Sequence, residues 1–187
     1  MDSSTLTTIA IAVVAMIIVG AILFFAMRKQ QSARLRSRFG PEYERTVDDI
    51  GDRRRAEHEL QERQKRVSKF ELRPLSVSER DHFISAWHMI QAEFVDQPRQ
   101  AVGKADSLLT EVMRARGYPM EDFEQRSADL SVDHPSVVQN YRAGREIASL
   151  QKDGEANTED MRQAMIHFRA LFDELVSDPA AAVRRHA

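Results

Sequence analysis

The chain has 187 residues, no cysteine and a formal net charge of −2 from 27 basic and 29 acidic side chains. Without cysteine there is no disulfide, no thiolate metal ligand and no cysteine nucleophile. Residues 28–38 carry five bases and no acid, residues 42–72 nine acids against eight bases, and residues 74–177 eighteen acids against eleven bases. Phosphate neutralisation needs clustered Lys and Arg, so this acidic C-terminal part argues against a nucleic-acid partner.

Residues 1–8 form a short polar start, and Ile9 to Met27 follows as nineteen residues without a charge. About twenty apolar helical residues at 1.5 Å each cross a hydrocarbon core of roughly 30 Å. The run therefore predicts a transmembrane helix over 9–27, with the lipid bilayer as its partner. A secretory signal peptide fits less well: residues 1–8 lack Lys and Arg, and bulky Phe24 stands where small residues precede a cleavage site.

Arg28, Lys29, Arg34, Arg36 and Arg38 follow the run, and only Asp2 precedes it. Excess bases mark the cytoplasmic flank, which predicts a single-pass protein of the cell (inner) membrane with its N-terminus outside and its C-terminal domain cytoplasmic. The same five residues suit anionic lipid headgroups, each worth about 1 kcal/mol near the surface. Their simpler reading is a topology determinant. Gly40-Pro41 then breaks the basic juxtamembrane segment 28–39, because Pro lacks an amide donor and restricts its predecessor.

Residues 42–73 read as a charged stalk helix with few apolar positions. Tyr43, Val47 and Ile50 begin a heptad seam that Arg54, Glu57 and Gln64 interrupt, so a solvated helix and half of a weak coiled coil are equal readings. Glu59–Arg63 and Glu62–Arg66 have the favourable i,i+4 order. After Arg73-Pro74, residues 76–177 read as amphipathic helices. Ser76-Val77-Ser78-Glu79 offers a capping box. The first stripe is Phe83, Ile84, Trp87, Ile90, Phe94 and Val95. The second begins at Asp96-Gln97-Pro98 and holds Ala101, Val102, Ala105, Leu108, Leu109, Val112 and Met113. A short helix spans about 121–130 with Phe123 and Leu130. Asp133-His134-Pro135 opens another, with Val137, Val138, Tyr141, Ile147 and Leu150 inward and Gly154 at its end. Asn157 and Thr158 cap the last, whose stripe is Met161, Met165, Phe168, Leu171, Phe172, Leu175 and Val176. Sustained period-two alternation is absent. The expected fold is all-α: a membrane helix, a stalk and a compact antiparallel bundle of four to five helices, with a frayed tail at 178–187.

Chemistry is sparsely signalled. His58 and Glu62 share a helix face, but Glu62 stands where a zinc motif needs a second His. Glu79 and His82 make one ExxH, whereas carboxylate-bridged di-metal bundles need two. His134 and His167 read as packed or capping residues. No nucleophile elbow, phosphate loop or dinucleotide fingerprint occurs, and every glycine except Gly20 reads as a helix break or cap. No catalytic, cofactor-binding or metal-binding residue is assigned, no cofactor is expected, and the chain is not read as an enzyme. Trp87 and the aromatic residues at helical spacing read as core. Two turns stand out, Arg116-Gly117-Tyr118-Pro119 and Ser131-Val132-Asp133-His134-Pro135. Turn chemistry is their simpler reading; an exposed Tyr118 or His134 would mark a partner surface.

At these two turns, and at Arg38-Phe39-Gly40-Pro41-Glu42-Tyr43 and Phe94-Val95-Asp96-Gln97-Pro98, the chain resembles a group of uncharacterised bacterial membrane or secreted proteins. The likeness spans most of residues 34–176. It implies a bacterial source and transfers no residue role. The expected function is that of an adaptor or scaffold holding a helical domain at the membrane for contact with a protein partner. The alternative is a homo-oligomeric stalk, similar in layout to the peripheral-stalk subunit of rotary ATP synthases; a ligand-binding or metal-dependent enzyme ranks third.

Overall fold

The computed structural model describes residues 3–152 and 156–177, with side chains described from 16 to 150 and from 156 to 177. Gly154 and the tail 178–187 lie outside the described residues. The described chain is all-α: eight helices and no strand. It divides into two compact units, residues 1–57 and 58–187.

In the first unit, α1 (Ser3–Phe39) runs without interruption from the apolar stretch through the basic segment. It ends at Gly40, whose φ of +49° lies in the left-handed region and whose N–H reaches the Arg36 carbonyl at 2.9 Å. Pro41 opens α2 (Pro41–Ile50) at the position where a missing amide costs nothing. The expected continuous stalk is then broken. Gly51, at φ +71°, caps α2 by donating to Val47 O at 2.9 Å, and α3 (Arg53–Val67) starts afresh. Nor is the segment bare: α2 packs against α1, and Leu35, Phe39, Tyr43 and Ala56 are buried. The Tyr43 hydroxyl donates to Glu57 Oε1 at 2.7 Å and accepts from Arg53 Nε at 3.0 Å. Burial pushes the Glu57 carboxyl up, but hydrogen bonds from Ser32, Tyr43 and Arg53 outweigh it and hold the group below the ordinary carboxylate range.

Among the described residues no helix is long and apolar enough to cross a membrane. That corrects the expected transmembrane helix at 9–27, and with it the single-pass inner-membrane localisation. Ile9–Ala15 fall among residues whose side chains are not described. The apolar stretch that is described, Met16 to Met27, ends at Arg28-Lys29.

In the second unit α3 is followed by an extended link and then by α4 (Val77–Glu93), α5 (Pro98–Ala115), α6 (Phe123–Asp133), α7 (Val138–Lys152) and α8 (Thr158–Ser177). The Ser76 capping box forms as the motif predicts, and Arg73 donates to Glu79 Oε2 at 2.9 Å beside it. Helix α8 packs on α5 and α7, α4 packs on α5, and α6 on α7. The anticipated stripes of α5 and α8 are buried in full. Trp87 of α4 stacks on Phe172 of α8, centroids 4.8 Å apart. Two residues read as inward are not. Val95 is 81% exposed because it lies in the turn after α4, where helical periodicity has ended, and Leu150, near the end of α7, is 41% exposed.

Two glycines also depart from the reading as breaks or caps. Gly103 lies inside α5 with open space around it. Gly144 lies inside α7, buried, where an added Cβ would meet the Phe168 ring of α8 at 2.6 Å. The second is a packing glycine, and it lets α7 and α8 approach closely.

Candidate interaction site

The two distinctive turns meet at one end of the second unit. Gly117, at φ +91°, sits so close to the link before α4 that a Cβ would lie 2.5 Å from Glu71 O, and Arg73 N donates to Arg116 O at 3.0 Å. The Arg116 side chain is fully buried and donates from Nη1 to Leu175 O at 2.7 Å. It thereby satisfies one of the last carbonyls of α8 and places a cation at that helix's negative end. The Tyr118 hydroxyl donates to Asp133 Oδ2 at 3.3 Å, and His134 Nδ1 lies 3.3 Å from Glu174 Oε1. Tyr118 is 4% and His134 2% exposed, so neither offers a partner surface. The cluster clamps the ends of α5, α6 and α8. A second buried anchor is Asp129, whose Oδ1 accepts from Arg66 Nε at 2.8 Å and from Gln125 at 3.0 Å.

The other described histidines stay apart. His58, His82 and His88 are exposed, and His167 Nδ1 lies 3.1 Å from Asn140 Oδ1. Glu79 is engaged by Arg73 and the Ser76 cap, which hold its carboxyl well below the ordinary range, so the ExxH is a helix start. Among the described residues no group of three or more His, Asp or Glu side chains could hold a metal ion. The aromatic residues read as core are core: Phe83, Trp87, Tyr141, Phe168 and Phe172 are buried, with Phe94 and Phe123 packed against them.

What the bundle does expose is a shallow groove between α4 and α8. It is lined by Gln91, Phe94, Arg162, Met165, Ile166 and Arg169 and measures about 160 Å³. Small-molecule pockets run from about 300 to 1,000 Å³, so this groove accepts one or two side chains rather than a ligand. Arg162, Ile166, Arg169 and Asp173 follow 4–3–4 spacing, which makes one outward stripe. Ile166 is 47% exposed, between two arginines whose ion pairs among the described residues are local: Arg162 with Glu159, bidentate at 2.6 and 2.7 Å, and Arg169 with Asp173 at 3.4 Å. Both pairs are solvent-exposed and screened, so a partner's carboxylate can compete for either arginine. On the α5 side of α4, Met89 is 68% exposed and lines a separate hollow with Lys104 and Leu108.

Sequence reading did not single out Ile166 or Met89. The signal was present: each is a large apolar residue standing outside the inward stripe of its helix. A larger hollow of about 500 Å³ lies where α5 and α8 begin, but its Asn157 side chain already caps α8 by accepting from Glu159 N at 2.8 Å and Asp160 N at 3.1 Å. No family model, curated protein or solved structure matches the chain, so the site rests on its own geometry.

Proposed function

We propose that this chain is a non-enzymatic adaptor or scaffold whose antiparallel bundle of four to five helices docks a protein partner in the α4–α8 groove. The observation that carries the reading is the outward stripe Arg162–Ile166–Arg169, an apolar residue flanked by two replaceable cations over the floor of Phe94 and Met165. A partner segment with one or two apolar side chains flanked by carboxylates fits that chemistry. Apolar anchors ringed by polar residues carry most of the energy of such contacts. The buried clamp at Arg116 and the Trp87–Phe172 stack support this role by fixing α8 against α4 and α5.

Affinity purification with the full chain and with Ile166→Asp tests the reading, with circular dichroism confirming that the variant keeps its helix content. The reading expects proteins retained by the parent and lost by the variant. An identical set on both, or none on either, contradicts it. Trp87 and Tyr118 substitutions do not serve, because both residues are core.

A further inference from the structure

We infer that α1 binds anionic lipid headgroups at a bilayer surface through Arg28, Lys29, Arg34 and Arg38, with the exposed apolar stretch beside them making the hydrophobic contact. Nine large apolar residues between Met16 and Met27 are exposed, from 53% at Ile18 to 77% at Met16. Within the first unit, α2 covers only the far end of α1, where Leu35 and Phe39 are buried. An apolar surface this continuous is rare on a monomer without an occupant.

Charge identifies the occupant. Residues 16–39 contain five bases and no acid. Arg36 is engaged by Glu44 at 2.6 Å and lies over the Tyr43 ring, but among the described residues no carboxylate pairs with Arg28, Lys29, Arg34 or Arg38. At about 100° per residue, Lys29, Arg34 and Arg38 stand about 100°, 240° and 280° around the axis from Arg28. The four cations therefore ring the helix instead of forming one face. A nucleic-acid groove or an acidic helix wants a single basic stripe, whereas phosphate headgroups can gather around cations on every side of a helix. The apolar residues are likewise spread around the whole circumference, so a second copy packed on one side leaves the other side bare. This contact is independent of the α4–α8 groove, and it does not require α1 to cross the bilayer.

The test is co-sedimentation of the full chain with vesicles of phosphatidylcholine alone and of phosphatidylcholine containing phosphatidylglycerol. The expected result is binding to the anionic vesicles, weaker binding to neutral ones, and loss as salt screens the headgroups. At about 1 kcal/mol per basic residue, the quadruple variant R28E/K29E/R34E/R38E should partition at least about a hundredfold less. The single variant Phe25→Asp keeps the ring and should also weaken binding. Equal binding to neutral and anionic vesicles overturns the inference, as does binding unchanged in the quadruple variant. Discrete oligomers formed without lipid, with no binding to vesicles, overturn it in favour of a second copy.

Discussion

Gly144→Ala places the account of the α7–α8 contact at risk. In an exposed helix interior this change stabilises by about 0.5–1 kcal/mol, because Ala costs less backbone entropy than Gly. At Gly144 the new methyl would lie 2.6 Å from Phe168 Cε1 and 2.7 Å from Cδ1. Phe168 is fully buried, so its ring can yield only by displacing core neighbours. Overpacking of this kind costs about 1–3 kcal/mol, which against the propensity gain leaves up to about 2.5 kcal/mol of net destabilisation. Gly103→Ala is the internal control: it has the same chemistry in α5, with nothing within 4 Å, and should stabilise by about 0.5–1 kcal/mol. Urea denaturation followed by circular dichroism at the helix band measures both, and Gly144→Ala combined with Phe168→Leu should recover part of the loss. If Gly144→Ala matches or exceeds the parent while Gly103→Ala behaves as expected, the close approach of α7 to α8 is wrong.

Gly117→Ala should cost more than Gly144→Ala in the same assay, because it combines a left-handed φ with a backbone oxygen at 2.5 Å that cannot move aside. Burial pushes the Tyr141 hydroxyl up to about 12 from its ordinary 10, with Asp106 adding to the shift and Arg126 and Arg145 opposing it. The fold thus favours neutral Tyr141, so about 3 kcal/mol is present below pH 10 and lost as pH rises toward 12. Tyr141→Phe should flatten that alkaline decline in urea midpoints. Glu79 behaves oppositely: its carboxyl is held low by Arg73 and the Ser76 cap, so its contribution is present above the ordinary carboxylate range and fades as acid is added. Glu79→Gln should reduce the acid-side slope, and Ser76→Ala should cost about 1 kcal/mol at neutral pH.

Where periodicity carried the information, the sequence was legible. The stripe of α5 is legible residue for residue and that of α8 in all but the small Ala164, because a helix with one buried face prints its period directly. Capping chemistry was equally plain at Ser76 and at Asn157. Three kinds of feature were hidden. Gly144 looks like any helix-breaking glycine, and only the position of Phe168, twenty-four residues away, makes it a packing residue. Arg116, Tyr118 and His134 are polar turn residues that local sequence places on the surface. They are buried because three helix ends converge there and bring Leu175 O, Asp133 and Glu174 within reach. The stalk is not the bare helix its charge density suggests, because Tyr43, already visible as the start of the interrupted seam, and Ala56, too small to stand out, pack within the first unit. The α4–α8 groove is hidden for a related reason: its exposed apolar residue, Ile166, stands outside the inward stripe of α8.

The central claim, that the α4–α8 groove seats a protein partner, is tested most directly by site-specific photo-crosslinking in the full chain. A photoreactive residue at position 166 is compared with one at Glu124, exposed on α6. The account predicts a discrete heterologous adduct from position 166 that is absent from position 124 and lost when Arg169→Glu is added. The same adducts from both positions, or none from 166, would contradict it.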